Sequence, residues 1–296
     1  MRVGTIAAAD GPVLAVERDG LWYPWTPLGP SATGSGYSAI DVLAMGERVS
    51  VDGSLAPARL LPPIVPPRNV MCLGKNYRAH AEEFAAYSGD AAAVPDVPIV
   101  FTKPVAALCG PQDDIAVDPE LATALDYEVE LGVVIGVGGR RIAAADAHRH
   151  VAGYTIVNDT TARDLQRRHK QWFLGKSLAR ATPAGPVIVS AGELTDLEHR
   201  TIRCWVNDEL RQDARLGDMV FGVAETIEEI SRVFPLVPGD LIAMGTPSGV
   251  GVGFDPPKFL QDGDRVVCEI GGIGRLDNTI HFVSAPSDAK KETAHA

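Results

Sequence analysis

The chain has 296 residues, 46% of them hydrophobic and 22% charged, an ordinary globular mix with enough apolar material for a sizeable core. Lysine and arginine number 27 against 38 aspartates and glutamates, for a net charge of −11, which is the reverse of what a phosphate-tracking surface needs, so nucleic acid is not an expected partner. No basic leader precedes an apolar segment, and no uncharged apolar run approaches the ~20 residues of a membrane span, so a cytoplasmic protein without membrane contact is expected.

In chain order, Met1–Ala8 and Pro12–Glu17 read as strands around an Asp10-Gly11 turn, a hairpin pattern. Gly29–Gly36 reads as a loop and Ile40–Glu47 as a short helix. The proline-rich stretch Leu61–Arg68 reads as an extended linker. It divides a small N-terminal domain (1–67) from a larger domain (68–284), followed by a polar tail (285–296). A short apolar strand then runs into a Gly-Lys-Asn turn and a helix over Tyr77–Tyr87. Ser88–Pro98 is small, acidic and proline-containing, the composition of a mobile surface loop.

The remainder favours strands: Val100–Thr102, Tyr127–Val137, Val151–Asn158, Val187–Val189, Thr201–Val206, Leu241–Met244 and Arg265–Ile270. Ala143–His150 and Glu225–Val233 favour helix. Gly136–Arg140 reads as a hairpin turn, and Pro238-Gly239-Asp240 and Asp262-Gly263-Asp264 as turns that feed strands. Many strands and few helices predict a β-rich α+β fold on a curved or rolled sheet. Cys72, Cys109, Cys204 and Cys268 are far apart and form no CxxC pair, so they read as reduced, mostly buried thiols.

The stretch LDYEVELGVVIG (125–136) carries the strongest chemical signal. In one strand, Asp126, Glu128 and Glu130 share a face, and Tyr127, Val129 and Leu131 the other. Carboxylates lined up near a core repel and are costly unpaired. A hard divalent cation removes both penalties; so would arginine partners on a solvated face. Asp159, after the strand Val151–Val157, is placed as a third metal ligand, or else it or Thr160 caps a short helix through Gln166. Lys176, after an apolar run and a glycine, could stabilise a developing enolate or simply be solvated. His80 and Glu83 are i,i+3 neighbours on the predicted helix, the arrangement of an oriented general base or of a chance surface pair. Thr246, between glycines in MGTPSGVG (244–251), could face a ligand carboxylate or sit in a turn-rich connection.

The order of these pieces is more specific than any of them. NYxxHxxE, LDxExEL, NDxTxRDxQ, GKS, PxGP and GTPxGVG follow one another over residues 68–283, and in that order they resemble the fumarylacetoacetate hydrolase family. The resemblance implies a mixed β-roll catalytic domain, partly open and barrel-like, behind a small N-terminal β-containing domain, and a homodimer. It implies a divalent cation, Mg²⁺ or Mn²⁺ with Ca²⁺ as a further option, held by Glu128, Glu130 and Asp159. It implies His80 and Glu83 on a lid helix as the catalytic pair, with Lys176, Gln166 and Thr246 on the substrate. One position departs: many relatives carry KSxD before PxGP, and here Ala179 stands in place of the acid, which predicts a Lys176 without its usual counter-charge.

The expected activity is hydrolytic carbon–carbon cleavage of a small 2,4-diketo acid of acylpyruvate or fumarylpyruvate type. His80, oriented by Glu83, activates water, and the metal and Lys176 stabilise the pyruvate enolate that leaves. The alternative is an isomerase or decarboxylase of a 2-oxo or 2-hydroxy dienedioate or of oxaloacetate in aromatic-compound catabolism, because the same enolate chemistry serves each. The run RRHKQWFLGKS (167–177) resembles isomerase and decarboxylase members. A third reading, motivated by Ala179, is a 2-oxo acid binding protein that has lost catalysis.

Overall fold

A computed structural model describes residues 1–9, 11–25, 38–45, 59–88 and 94–284. The expected loop over 29–36, Asp10 of the first turn, residues 46–47 of the first predicted helix, residues 89–93 of the expected mobile loop and the tail 285–296 lie outside the described residues.

Strands β1 (Arg2–Ala8) and β2 (Gly11–Arg18) pair antiparallel from Arg2↔Glu17 to Ala8↔Gly11, and β3 (Leu21–Pro24) continues the meander. A helix, α1 (Ala39–Met45), and the two-residue strand β4 (Leu60–Leu61) follow. The strand β5 (Val70–Gly74) leads into helix α2 (Arg78–Ser88), and β6 (Ile99–Lys103) returns antiparallel to β5. Short strands β7 (Leu108–Cys109), β8 (Ile115–Val117) and β9 (Leu125–Asp126) precede β10 (Val129–Ile135). The strand predicted over Tyr127–Val137 is therefore shorter, Val129–Ile135, and the stretch 125–136 read as one strand is divided into β9 and β10. It breaks at Tyr127–Glu128 because Asp126 turns to collect the N–H groups of Gly251 and Val252 at 2.6 and 3.1 Å.

The region predicted as a helix over Ala143–His150 is a 3₁₀ helix, Ala144–His150. Next come β11 (Val151–Asn158), β12 (Thr161–Ala162) and helix α3 (Arg163–His169). Neither Asp159 nor Thr160 caps α3; its N-cap is Ala162, and no side chain performs the capping. After β13 (Thr182–Ser190) come β14 (Thr201–Val206), β15 (Glu209–Arg215), the amphipathic helix α4 (Val223–Val233), β16 (Leu241–Ala243), β17 (Arg265–Ile270) and β18 (Gly274–Phe282).

The strands form a β-rich assembly of open, mixed sheets, as the strand-dominated sequence predicts. The large sheet runs β3-β2-β1-β13-β11-β10-β16-β5-β6, with β4 on β1 and β7 on β13. The second runs β15-β14-β17-β18-β8, and β12 pairs with β9. The hairpin of the first residues thus extends the same sheet that carries β10. Every residue of β10 is buried, the mark of a strand covered on both faces. Its alternation divides two cores. Val129, Leu131, Val133 and Ile135 pack with Ile202, Cys204, Val266 and Leu276 of the second sheet. Val134 packs instead with Ile40, Val42, Cys72 and Leu241. All four cysteines are buried and free. No described helix is long and apolar enough to cross a membrane.

Candidate active site

Three carboxylates meet where the start of β10 runs beside the end of β11. The antiparallel register sets Val129 opposite Asn158 and Glu130 opposite Val157, and the Asp159 N–H donates to the Glu128 carbonyl at 2.9 Å. One carboxylate oxygen from each of Glu128, Glu130 and Asp159 lies within 4.8 Å of the others, and all three residues are buried. Glu128 and Glu130 flank Val129 at the start of β10, and the pairing with β11 brings Asp159 beside them; Asp126, expected on the same face, is turned away by the break in the strand.

Cations surround them. Lys176 ends a 3₁₀ turn, Leu174–Lys176, and its Nζ donates to Glu128 Oε2 at 2.7 Å and Asp159 Oδ2 at 2.6 Å. Lys103, the last residue of β6, donates to Asp159 Oδ1 at 2.6 Å. Arg163, the first residue of α3, holds Glu128 Oε1 at 2.6 Å through Nη2 and Asp126 Oδ2 at 2.8 Å through Nε. The expectation that Ala179 leaves Lys176 without a counter-charge is therefore corrected. Its counter-charges come from the strands, 48 and 17 residues away in sequence, so a change three residues downstream does not remove them. Asp126 belongs to Arg163 and to the backbone of the glycine loop, and it stands apart from the other three acids.

The electrostatics follow from burial and these pairs. Burial works to raise the Glu128 carboxyl, but Lys176 and Arg163, with His80 adding, overcome it and bring it down to about 2. Glu130 goes the other way: burial, with Asp159 and Glu128 nearby, pushes its carboxyl well above the usual range. Burial disfavours the Lys176 ammonium, yet Asp159 and Glu128 hold it charged and raise it. Glu130 Oε2 accepts the Gly245 N–H at 2.9 Å. That contact requires glycine, since Gly245 has φ +86° and a Cβ there would lie 2.8 Å from Asn76 Cβ.

The residues present fit a hard divalent cation. The donors are all carboxylate oxygens, and the Lys176 ammonium already lies between two of them as a cation would.

The opposite wall is α2. His80 is 6% exposed, and its Nδ1 lies 3.2 Å from Glu83 Oε2, as the i,i+3 spacing predicts. Glu83 Oε1 accepts the Gly249 N–H at 2.9 Å. An ionised Glu83 keeps the ring proton on Nδ1 and leaves Nε2 as the basic nitrogen. Asn76 anchors the start of this wall. Its amide donates to the carbonyls of Phe221 and Met244 at 3.0 and 2.7 Å and accepts the Phe221 N–H at 2.8 Å.

A cleft of about 320 Å³ brings together His80, Glu128, Glu130, Gln166, Lys176 and Thr246. Glu83 and Asp159 stand behind it, bound to His80 and Lys176. The Thr246 hydroxyl is engaged within the protein, donating to the Val129 carbonyl at 2.9 Å and accepting from Gln212 at 2.8 Å. Gln166 Oε1 accepts from Arg163 at 3.1 Å. Sequence reasoning missed Lys103 and Arg163. The need of four buried acids for partners is the signal that points to them. It also missed the aromatic side chains of Phe84, Phe101 and Trp172 in the cleft wall.

Comparisons with known proteins bear on the chain as a whole. Residues 69–281 match the family described as fumarylacetoacetate (FAA) hydrolase C-terminal. The chain is 49% identical over 228 residues to the oxaloacetate tautomerase YisK of Bacillus subtilis, covering 77% of this chain and 74% of that one. Among solved structures it is similar to a fumarylacetoacetate hydrolase from psychrophilic Exiguobacterium antarcticum, at 38% identity and TM-score 0.82 over 96% of this chain and 100% of the other. It is also similar to a 2-hydroxyhepta-2,4-diene-1,7-dioate isomerase from Mycobacterium marinum, at 33% identity and TM-score 0.75 over 96% and 100%.

Proposed function

The chain belongs to the fumarylacetoacetate hydrolase family, and from that premise we propose that it interconverts the enol and keto forms of a small 2-oxo acid of the oxaloacetate type. The observation that carries the reading is that His80 and Lys176 line one small cleft over Glu128 and Glu130. Tautomerisation needs only a base that moves a proton at carbon and a positive group where the oxygen gains charge. The likeness to an oxaloacetate tautomerase and to a dienedioate isomerase supports this reading above hydrolysis.

Glu128, Glu130 and Asp159 would hold Mg²⁺ or Mn²⁺. A divalent ion there supplies Lewis acidity toward the substrate carboxylate and 2-keto oxygen. The chain's own residues do the rest. In the enolising direction His80 Nε2 takes a proton from C3. The C–H electron pair becomes the C2–C3 double bond, and charge moves to the C2 oxygen. Lys176 offers its ammonium to that oxygen, the proton held on the His80 imidazolium is passed to it, and the enol is released with the base restored. Glu83 stabilises the imidazolium formed in between. Ketonisation is the same path in reverse. The aromatic wall keeps bulk water from the carbanion-like carbon.

The test is the ketonisation of enol-oxaloacetate, followed by ultraviolet absorbance with Mg²⁺ or Mn²⁺, with products identified by NMR. Acceleration without loss of carbon dioxide is expected. A metal-saturated protein that accelerates tautomerisation of no 2-oxo acid would refute the proposal. The likeness to the Exiguobacterium hydrolase favours a second reading, hydrolysis of an acylpyruvate, which the same NMR assay would reveal as pyruvate plus a free acid.

A further inference from the structure

Strand β15 inverts the usual order of burial. Leu210 is 48% exposed, while Gln212 is fully buried, the one buried residue of Glu209–Arg215. In a regular strand the two would share a face. A bulge separates them: Cys204 faces Gln212 and its neighbour Trp205 faces Leu210, so Arg211 is an extra residue on the β15 side. A bulge of this kind re-aims a side chain, and here it turns an amide inward from the second sheet.

Every polar group of that amide is engaged at the site. Gln212 Oε1 accepts the Val129 N–H at 3.1 Å, and Nε2 donates to Thr246 Oγ1 at 2.8 Å and to the Pro247 carbonyl at 2.7 Å. The Thr246 hydroxyl donates in turn to the Val129 carbonyl at 2.9 Å, which closes a ring through Val129, Gln212 and Thr246. The ring stands where a strand is missing. β16 pairs with β10 only over Gly132–Val134, and the last backbone bond on that side runs from the Met244 N–H to the Leu131 carbonyl. One repeat earlier, the Val129 N–H and carbonyl face the same side and would be buried without partners. Gln212 and Thr246 supply what β16 does not. Val129 lies between Glu128 and Glu130, so fixing its peptide groups fixes the backbone that carries both acids. The Gly245 N–H that holds Glu130 belongs to the same loop, one residue before Thr246. Gln212 itself does not line the cleft.

Resting on the reading of Glu128, Glu130 and Asp159 as a cation site, we propose that Gln212 is a positioning residue for it. Gln212 locks the start of β10 to the loop 245–247, so that the carboxylates of Glu128 and Glu130 are held together before a cation arrives. An uncharged amide suits the place because it donates and accepts at once. A glutamate would bring a further negative charge beside the three acids, and a lysine could not accept the Val129 N–H.

The experiment is calorimetric titration of Mn²⁺ into the substrate-free protein, at a temperature where the variants are folded. Gln212→Met is expected to weaken Mn²⁺ binding about 10–100-fold, the usual effect of removing a group that orients metal ligands. Thr246→Val should weaken it in the same direction, Thr246→Ser should restore it, and the double variant Gln212→Met with Thr246→Val should lose much less than the product of the single losses. Asn278, another buried amide, donates to the carbonyls of Gly110 and Asp113; Asn278→Leu should lower the melting temperature and leave Mn²⁺ affinity near wild type. Unchanged affinity in folded Gln212→Met, or an equal loss in Asn278→Leu, would overturn the proposal. If Gln212→Met does not fold, equal affinities of Thr246→Val and Thr246→Ser overturn it. If the wild type binds no Mn²⁺, the cation reading fails instead, and hydrogen exchange at the Gly245 amide decides the role of Gln212. Exchange faster by about tenfold or more in Gln212→Met, relative to the amides of β5, upholds it, and unchanged exchange overturns it.

Discussion

Lys176 Nζ lies 2.6 Å from Asp159 Oδ2, and the same ammonium reaches Glu128 at 2.7 Å. It thus takes space that a cation shared by these two carboxylates would need. Metal-free Lys176→Met is expected to be less stable than wild type by about 3–5 kcal/mol, the usual cost of stripping one partner from a buried ion pair. The loss should fall at the low end, because Arg163 and Lys103 remain on the same acids. Saturating Mn²⁺ should then raise the melting temperature of the variant more than that of wild type. Equal shifts in scanning calorimetry would count against a shared position.

Glu130 makes cation binding depend on pH. Burial, with Asp159 and Glu128 close by, raises its carboxyl well above the ordinary range, so a bound cation must displace a proton. Mn²⁺ affinity should climb as pH rises from the ordinary glutamate range toward the raised value. Without metal the sign for stability is opposite. The folded state binds this proton more tightly than the unfolded chain, so stability falls over the same interval. Calorimetric titrations in buffers of different ionisation heat count the protons released. A pH-independent affinity in wild type, or an unaltered slope in Glu130→Gln, would contradict the assignment.

His80→Ala should lower kcat by ~10²–10⁴, the usual share of a general base. Mn²⁺ affinity should stay near wild type, because His80 is not among the carboxylate ligands. Glu83→Gln should show part of the same defect. The double variant should lose much less than the product of the two single losses, because the pair acts as a unit. Full activity of His80→Ala on every accepted acid would remove the pair from the mechanism.

Gly253 offers a way to disturb the pair without touching either member. A Cβ at position 253 would lie 2.0 Å from Glu83 Oε1, so Gly253→Ala is expected to displace the carboxylate from its present place beside His80. The variant should reproduce the Glu83→Gln defect with little change in melting temperature. Wild-type kcat in a folded Gly253→Ala protein would show that Glu83 does not need its present position.

How much of this the sequence reveals depends on how far apart the partners lie. His80 and Glu83 meet within one helical turn, and Glu128 and Glu130 flank the first residue of β10, so local spacing brings each pair together, although the same alternation wrongly adds Asp126 to the carboxylate face. Asp159 is ambiguous locally, between ligand and cap, and only the order of motifs favours the ligand. Lys103 is 56 residues from Asp159, in a segment with no local pattern that marks it. Arg163 lies inside a recognisable motif, but its bond to Asp126 depends on the break between β9 and β10. That break is made by backbone amides of Gly251 and Val252, more than 120 residues away in sequence. The inference from Ala179 failed for the same reason: it sought a counter-charge along the chain, and the counter-charges come across the sheet.

The cleft is assembled from two kinds of parts. On one side Glu128, Asp159, Lys103, Arg163 and Lys176 are locked in mutual ion pairs. Changing any one leaves its neighbours buried and unbalanced, so this side is conservative by necessity. On the other side the base and the ring beside it belong to α2, eleven residues fastened at their start by Asn76. Substitutions there alter where a proton is delivered and which acid is admitted, and they leave the charge balance below intact. A lineage built on this scaffold can therefore acquire new reactions through the helix while inheriting its ion-holding base unchanged.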